Sequence, residues 1–218
     1  MFEYFIKFSP HILYIVKGTL VTLKYSVIAV ILGLLIGALL AICKVSKNFI
    51  LRLFANFYTS IFRGTPLLIQ LSIIYFGLPY LIGIKFSVFV AGVTAFSLNS
   101  GAYVSEIIRA GINAVDKGQV EAAEALAIPK ALIMKDIILP QAIRNIFPSL
   151  INELVNLIKE SAIISTIGGM DLMRRATIVS AETYNYFFPA LIAASCYYIL
   201  VMIISNIAKI IEKKLIVN

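Results

Sequence analysis

Uncharged apolar runs alternate with charged stretches along this chain, and the lengths of those runs decide what it can be. Tyr25 to Cys43, Gly64 to Ile84, Phe86 to Ser105 and Thr183 to Ala208 carry no Asp, Glu, Lys or Arg. A bilayer core of about 30 Å takes a helix of about 20 residues, because in lipid every backbone amide must find its partner within the segment. Each run is long enough. A fifth segment, Ile146 to Gly168, has the length but carries Glu153, Lys159 and Glu160, so it spans only if those groups avoid lipid. The pattern predicts an all-α integral membrane protein in which residues 1–218 form a single transmembrane domain. Five transmembrane helices are expected, at approximately 19–43, 60–82, 86–106, 146–168 and 184–208.

Composition agrees with that picture: 61% of the 218 residues are hydrophobic, 14% are charged, and the mean hydropathy is +0.96. A water-soluble domain of this length cannot absorb so much apolar surface. Lysine and arginine set the orientation of the spans. With the C-terminus inside, twelve basic residues from Lys44 to Lys214 fall on the inner face, against five on the outer: Lys7, Lys17, Lys85, Arg174 and Arg175. This bias places the N-terminus outside and the C-terminus in the cytoplasm. The formal net charge of +8 lies between apolar runs rather than in a stripe among exposed aromatics, so no nucleic acid is expected as a partner. Met1 to Pro10 lacks the marks of a cleaved signal peptide. Cys43 and Cys196 sit inside apolar runs with no CxxC, and read as packing residues.

The longest inner stretch, approximately 111–145, is too charged to span and too rich in helix formers to be disordered. It predicts short surface helices, with Val120, Ala122, Ala123, Leu126 and Ala127 on one half of the wheel and Glu121 and Glu124 on the other. Pro129 biases Ile128 out of the helical region and opens a second helix, which Pro140 is expected to stop. Gly83 with Pro79 marks the outer turn between the second and third spans.

Glu121-Ala122-Ala123 followed by Ile138-Leu139-Pro140 resembles the EAA coupling loop of bacterial ABC importer permeases. The resemblance implies a cytoplasmic helical loop between spans three and four that docks a separate ATPase through Gly118, Glu121, Ala122, Ala123, Leu126, Ala127 and Pro129. Family members usually carry glycine where this chain has Ala127, and Pro129 offers another means of bending the chain there. Phe62-Arg63-Gly64-Thr65-Pro66-Leu67-Leu68 and Asn99 to Arg109 resemble the polar amino acid branch, which serves glutamine, histidine, arginine or glutamate; the glutamine systems are the likeness preferred here. What this implies is a permease subunit in the bacterial cytoplasmic (inner) membrane. Its partners would be a dimer of ATPase subunits holding ATP and Mg, a second permease subunit, identical or paralogous, and an extracytoplasmic amino-acid-binding protein. No GxxxxGK[ST] loop, HExxH or Ser-His-Asp set occurs and His11 is the sole histidine, so no catalytic residue, metal site or cofactor is expected on this chain.

At about 100° per residue, Asn152, Glu153, Asn156, Lys159 and Glu160 fall at about 0°, 100°, 40°, 340° and 80°, one polar arc on the fourth span. Such an arc lines the substrate route or its gate, or else forms a polar network between subunits. Asn99, Ser100 and Glu106 make a second polar patch toward the inner end of the third span, where Glu106 and Arg109 are spaced to pair across a helical turn. Both signs of charge suit a zwitterion. Lys24 reads as a snorkelling anchor, Tyr184, Tyr186, Phe187 and Phe188 as an interfacial belt, and Gly33 with Gly37 as a close-packing GxxxG. The rival function is an ATPase-independent secondary amino acid transporter or channel, for which inverted repeats are expected and which five spans do not divide into.

Overall fold

The computed structural model describes residues 2–217, with side chains over residues 9–214, and contains no strand among them. Met1 lies outside the described residues, as does the side chain of Lys7, one of the basic groups assigned to the outer face. The chain opens with α1 (Phe2–Val16) and α2 (Gly18–Val45). Asn48 then caps α3 (Phe49–Gly64), its Oδ1 accepting from the Ile50 and Leu51 amides. Thr65 is extended (φ −123°, ψ 146°), as the residue before a proline tends to be, and ends α3. The chain turns through 103° into α4 (Leu67–Ser72), a π-helical segment Ile73–Gly77 and α5 (Leu78–Ile82), which closes at Gly83 with φ 73°.

After Ser87, which caps its first turn, comes α6 (Val88–Asn113), then α7 (Lys117–Ala125), α8 (Lys130–Leu132) and a second π segment, Ile133–Ile138. That segment runs straight into α9 (Leu139–Glu160), which tightens to a 3₁₀ turn over Ser161–Ile167; α10 (Leu172–Thr183) and α11 (Phe187–Val217) follow. Pro140 therefore does not stop the helix: Ile138 and Leu139 keep right-handed helical angles on its N-terminal side. The wider π turn ahead of it makes room for a ring that cannot donate, and the same device precedes Pro79.

By length and apolarity, three helices among the described residues are able to cross a membrane: Ser9–Val45, Val88–Asn113 and Phe187–Lys214. The bent pair Phe49–Gly64 and Leu67–Ile82 makes four if taken as one span. The expected count of five is thus not reproduced on those criteria. The second expected span, 60–82, straddles the bend, and the fourth is too polar to qualify even though α9 packs along α2, α6 and α11.

Small residues set the closest helix pair, α2 on α6. A Cβ on Gly33 would lie 2.8 Å from the Ser100 side chain, one on Gly37 2.6 Å from Val104 Cγ1, and one on Gly101 2.6 Å from Ile36 Cγ2. The GxxxG of α2 thus finds its partner in the Ser100-Gly101 face of α6, and the absence of side chains lets the two backbones approach. A buried core of Tyr25, Ala29, Leu71, Phe96, Leu157 and Ile164 lies alongside this contact, and a second, of Ile15, Leu172, Ala176, Val179 and Ala193, joins α1, α10 and α11.

Candidate functional site

The Phe62 to Leu68 stretch builds the 103° bend, and two buried amides hold it. Gln70 Nε2 donates to Phe62 O (2.9 Å), Thr65 O (3.0 Å) and Thr65 Oγ1 (2.9 Å), closing over the carbonyls that the broken helix leaves free. Asn99 of α6 donates to Phe62 O and to Gln70 Oε1, both at 3.0 Å, and Tyr58 donates to Leu98 O at 2.9 Å. Asn99 is buried and spends its donors on the bend.

At one end of α6, Glu106 is gripped from two sides. Lys44 of α2, whose side chain is 4% exposed, donates to Glu106 Oε1 and Ser105 Oγ, while Arg109 donates to Glu106 Oε2 through Nε (3.0 Å) and Nη2 (2.8 Å). The i,i+3 pairing foreseen for Arg109 is present, and Lys44 adds a link between helices. Glu106 also borders a cleft of about 420 Å³ with Arg63, Tyr103, Asn145 and Ser149, in which the Arg63 guanidinium lies 5.5 Å from the Tyr103 ring.

The polar arc of α9 divides. Glu153 is buried against Ser100 of α6, whereas Asn152, Asn156, Lys159 and Glu160 are exposed on a helix whose other sides pack on spanning helices. Asn152 opens into a second cleft, of about 390 Å³, between α9 and α11. Charged groups at membrane depth are costly to leave against lipid, so this face needs water or another polar surface.

Asp116 caps α7, its Oδ1 accepting from the Gly118 amide. Only Ala123 of the docking candidates is buried, against the chain itself; Gly118, Glu121, Ala122, Leu126, Ala127 and Pro129 are exposed, Leu126 at 76%. The chain bends at Ala127 and again at Pro129, which is extended (φ −56°, ψ 137°) and opens α8 as the sequence predicts. Ala127 has φ 54°, its amide donates to Glu124 O (2.9 Å) and the Ile128 amide to Ala123 O (3.1 Å), the paired bonds of a Schellman motif. Glycine takes that left-handed position without strain, and alanine holds it at a cost of about 1 kcal/mol.

The sequence profile of the family described as binding-protein-dependent transport system inner membrane component matches residues 33–217. The chain belongs to that family. A protein of Rickettsia conorii provisionally named glutamine transport system permease protein GlnP is 84% identical over 218 residues, the whole of both chains. The arginine transport system permease protein ArtQ of Bacillus subtilis is 54% identical over 206 residues, 94% of each chain. A crystal structure described as an amino acid ABC transporter with histidines superposes with a TM-score of 0.90 at 43% identity, covering 98% of each chain. The inward-facing MetNI methionine ABC transporter shares the fold at a TM-score of 0.73 and 19% identity, over 92% of this chain and 94% of that one.

Within this inner membrane component, several polar groups went unread in the sequence. Gln141, Asn145 and Ser149 fall at about 340°, 20° and 60° on the same wheel and carry the α9 stripe on towards α7. Gln141 Nε2 donates to Gln119 Oε1 of α7 (2.6 Å) and to Ile137 O (2.9 Å), tying α7 to α9 at the π turn. The 3–4 spacing was the available signal, cut off by placing the span boundary at Ile146. Gln70 hid inside an apolar run, and Lys44 among residues read as topology markers. Asp171 is buried and caps α10 by accepting from the Met173 and Arg174 amides, and burial pushes its carboxyl up to about 6. Lys24 lies 4.6 Å from the Phe89 ring, and the four aromatics from Tyr184 to Phe188 are exposed.

Proposed function

We propose that this chain is the permease subunit of a binding-protein-dependent ABC importer that carries a polar amino acid, glutamine, across the bacterial cytoplasmic membrane. The observation that carries this reading is the exposed polar face of α9, Asn152, Asn156, Lys159 and Glu160, on a helix packed among membrane-spanning ones. Those side chains offer donors and both signs of charge to the ammonium, carboxylate and amide of glutamine. Asn99, Glu106 and Glu153 hold the helices that frame the route. Names borne by relatives support the substrate: glutamine for the Rickettsia conorii protein at 84% identity, and a second amino acid, arginine, for the one at 54%.

ATP is used by a separate ATPase dimer that binds ATP and Mg, and this chain performs no hydrolysis. The exposed face of α7 and the turn after it, from Gly118 to Pro129, docks that dimer on the cytoplasmic side, with the N-terminus of the chain outside and its C-terminus inside. Closure of the ATPase dimer displaces α7, and Gln119 and Gln141 pass the displacement to α9. The permease then alternates between outward-open and inward-open arrangements, each favoured by different contacts. An external binding protein delivers the amino acid.

Affinity purification in detergent tests the docking. The wild-type chain recovers the ATPase subunit, and Glu121→Lys, which reverses the charge on the exposed face of α7, lowers recovery about tenfold. Equal recovery by both would remove α7 from the interface. Uptake driven by an ion gradient after ATP depletion would favour a secondary transporter instead.

A further inference from the structure

We infer that Arg63 is a carboxylate-binding residue, and that the cleft it borders is an inner subsite holding the α-carboxylate of the amino acid on its way to the cytoplasm. The inference rests on the importer reading and adds a site that the exposed face of α9 does not contain.

Its ground is the pattern of exposure on α3. At about 100° per residue from Arg52, the side chains of Arg63, Asn56 and Ser60 fall at about 20°, 40° and 80°, so the four make one polar stripe. All four are exposed, whereas Ala55 and Thr59, at about 300° and 340°, are buried against the rest of the chain. The exposed apolar side chains Leu53, Phe57, Ile61 and Phe54 take the arc from about 100° to 200°. Lipid suits that arc and not the stripe, since an arginine facing hydrocarbon is costly. The stripe therefore faces water. Its charge has one sign: no acidic residue occurs between Glu3 and Glu106, and Arg63 has no hydrogen bond or ion pair among the described residues.

At the bend this stripe meets that of α9. Arg63 borders the cleft of about 420 Å³ together with Asn145 and Ser149 of α9, a volume that holds a small ligand. The acid in its lining, Glu106, has both carboxylate oxygens engaged by Lys44 and Arg109, so the cleft keeps a net positive charge. Gln70 and Asn99 fix the Phe62 carbonyl beside Arg63, and the guanidinium lies 5.5 Å from the Tyr103 ring, so the fork is positioned before anything binds. A planar guanidinium with free N–H groups grips a carboxylate through two parallel hydrogen bonds, which a lysine cannot do. Asn145 Oδ1 and the Ser149 hydroxyl supply acceptors for the ammonium.

Equilibrium binding of labelled glutamine to the purified permease–ATPase complex, without binding protein, tests the inference. The wild-type complex binds it, and glutamine with its α-carboxylate converted to a carboxamide binds about tenfold more weakly. Arg63→Gln weakens the binding of glutamine about tenfold and leaves that of the carboxamide unchanged. Arg63→Lys, which keeps the charge but not the fork, falls between. A merely structural role for Arg63 weakens both ligands alike. Equal binding of the two ligands by the wild type, equal loss of both in Arg63→Gln, or no glutamine binding by the wild-type complex overturns the inference. In proteoliposomes with ATPase and binding protein, Arg63→Gln lowers kcat for uptake and leaves the external KM, set by the binding protein, in place; a raised KM with kcat intact would also overturn it. Loss of ATP dependence in wild-type uptake would sink the importer reading itself, whereas ATP-driven uptake with no discrimination between the two ligands sinks the Arg63 subsite alone.

Discussion

Two polar clusters in this chain carry similar side chains in opposite surroundings. Around the bend, Asn99 and Gln70 are buried, and their amide donors all end on the carbonyls and hydroxyl of Phe62 and Thr65 or on each other. Along α9, Asn152, Asn156, Lys159 and Glu160 are exposed, and among the described residues none of them has a hydrogen bond or ion pair to another helix. A polar group inside a membrane protein has two stable fates: to be satisfied internally, where it fixes geometry, or to be kept for something that comes and goes. The bend shows the first, and the route proposed along α9 would use the second. Glu153 and Glu106, which the sequence groups with the route, have partners within the chain that the open α9 groups lack, Glu153 packed against Ser100 and Glu106 held by Lys44 and Arg109.

The largest effect expected from breaking this contrast lies at Glu106. Glu106→Gln leaves the nearly buried Lys44 ammonium without its carboxylate, which costs about 3 kcal/mol and lowers the thermal midpoint of the chain in detergent. An unchanged midpoint would show that the pair contributes nothing to the fold. Next comes a matched comparison. Asn99→Leu strips a donor from Phe62 O and Gln70 Oε1 in a buried site, at about 2 kcal/mol. Asn156→Leu, on an exposed face, changes stability by less than about 0.5 kcal/mol while reducing uptake. Equal losses of stability at both positions would erase the distinction. The smallest effect is a gain: Ala127→Gly relieves the left-handed residue at the end of α7 by about 1 kcal/mol, measured as slower hydrogen exchange at the Ile128 amide. Faster exchange there would mean that the added freedom of glycine outweighs the strain.

How much of this was legible in the sequence follows the same division. The cores of α2, α6 and α11 announce themselves because lipid demands long uncharged helices, and their limits differ from the expected ones mainly by extension at the ends, as in α6 to Asn113 and α11 to Val217. The GxxxG of α2 was readable as a close contact, although only three-dimensional packing names α6 as its partner. The 103° bend was not readable, because Gly64-Thr65-Pro66 marks a break without stating its angle, and the amides that brace it lie 29 positions apart in the chain. Pro140 misled for a related reason. A proline inside a helix removes one hydrogen bond and crowds the carbonyl four residues back, and the wider π turn ahead of Pro140 relieves that crowding so that the helix continues. Along α9 the spacing of polar residues was visible, but which of them face outward depends on where α6 packs, and that took Glu153 out of the open set.

The central claim is that this chain moves an amino acid only as part of an ATP-driven assembly. Purified chain, ATPase and binding protein, reconstituted into proteoliposomes with labelled glutamine outside the binding-protein face, test it most directly. The account predicts uptake that needs all three proteins and hydrolysable ATP, and that glutamine competes for better than histidine, arginine or glutamate. Glutamine entering vesicles that contain this chain alone, driven by an ion gradient, would contradict it.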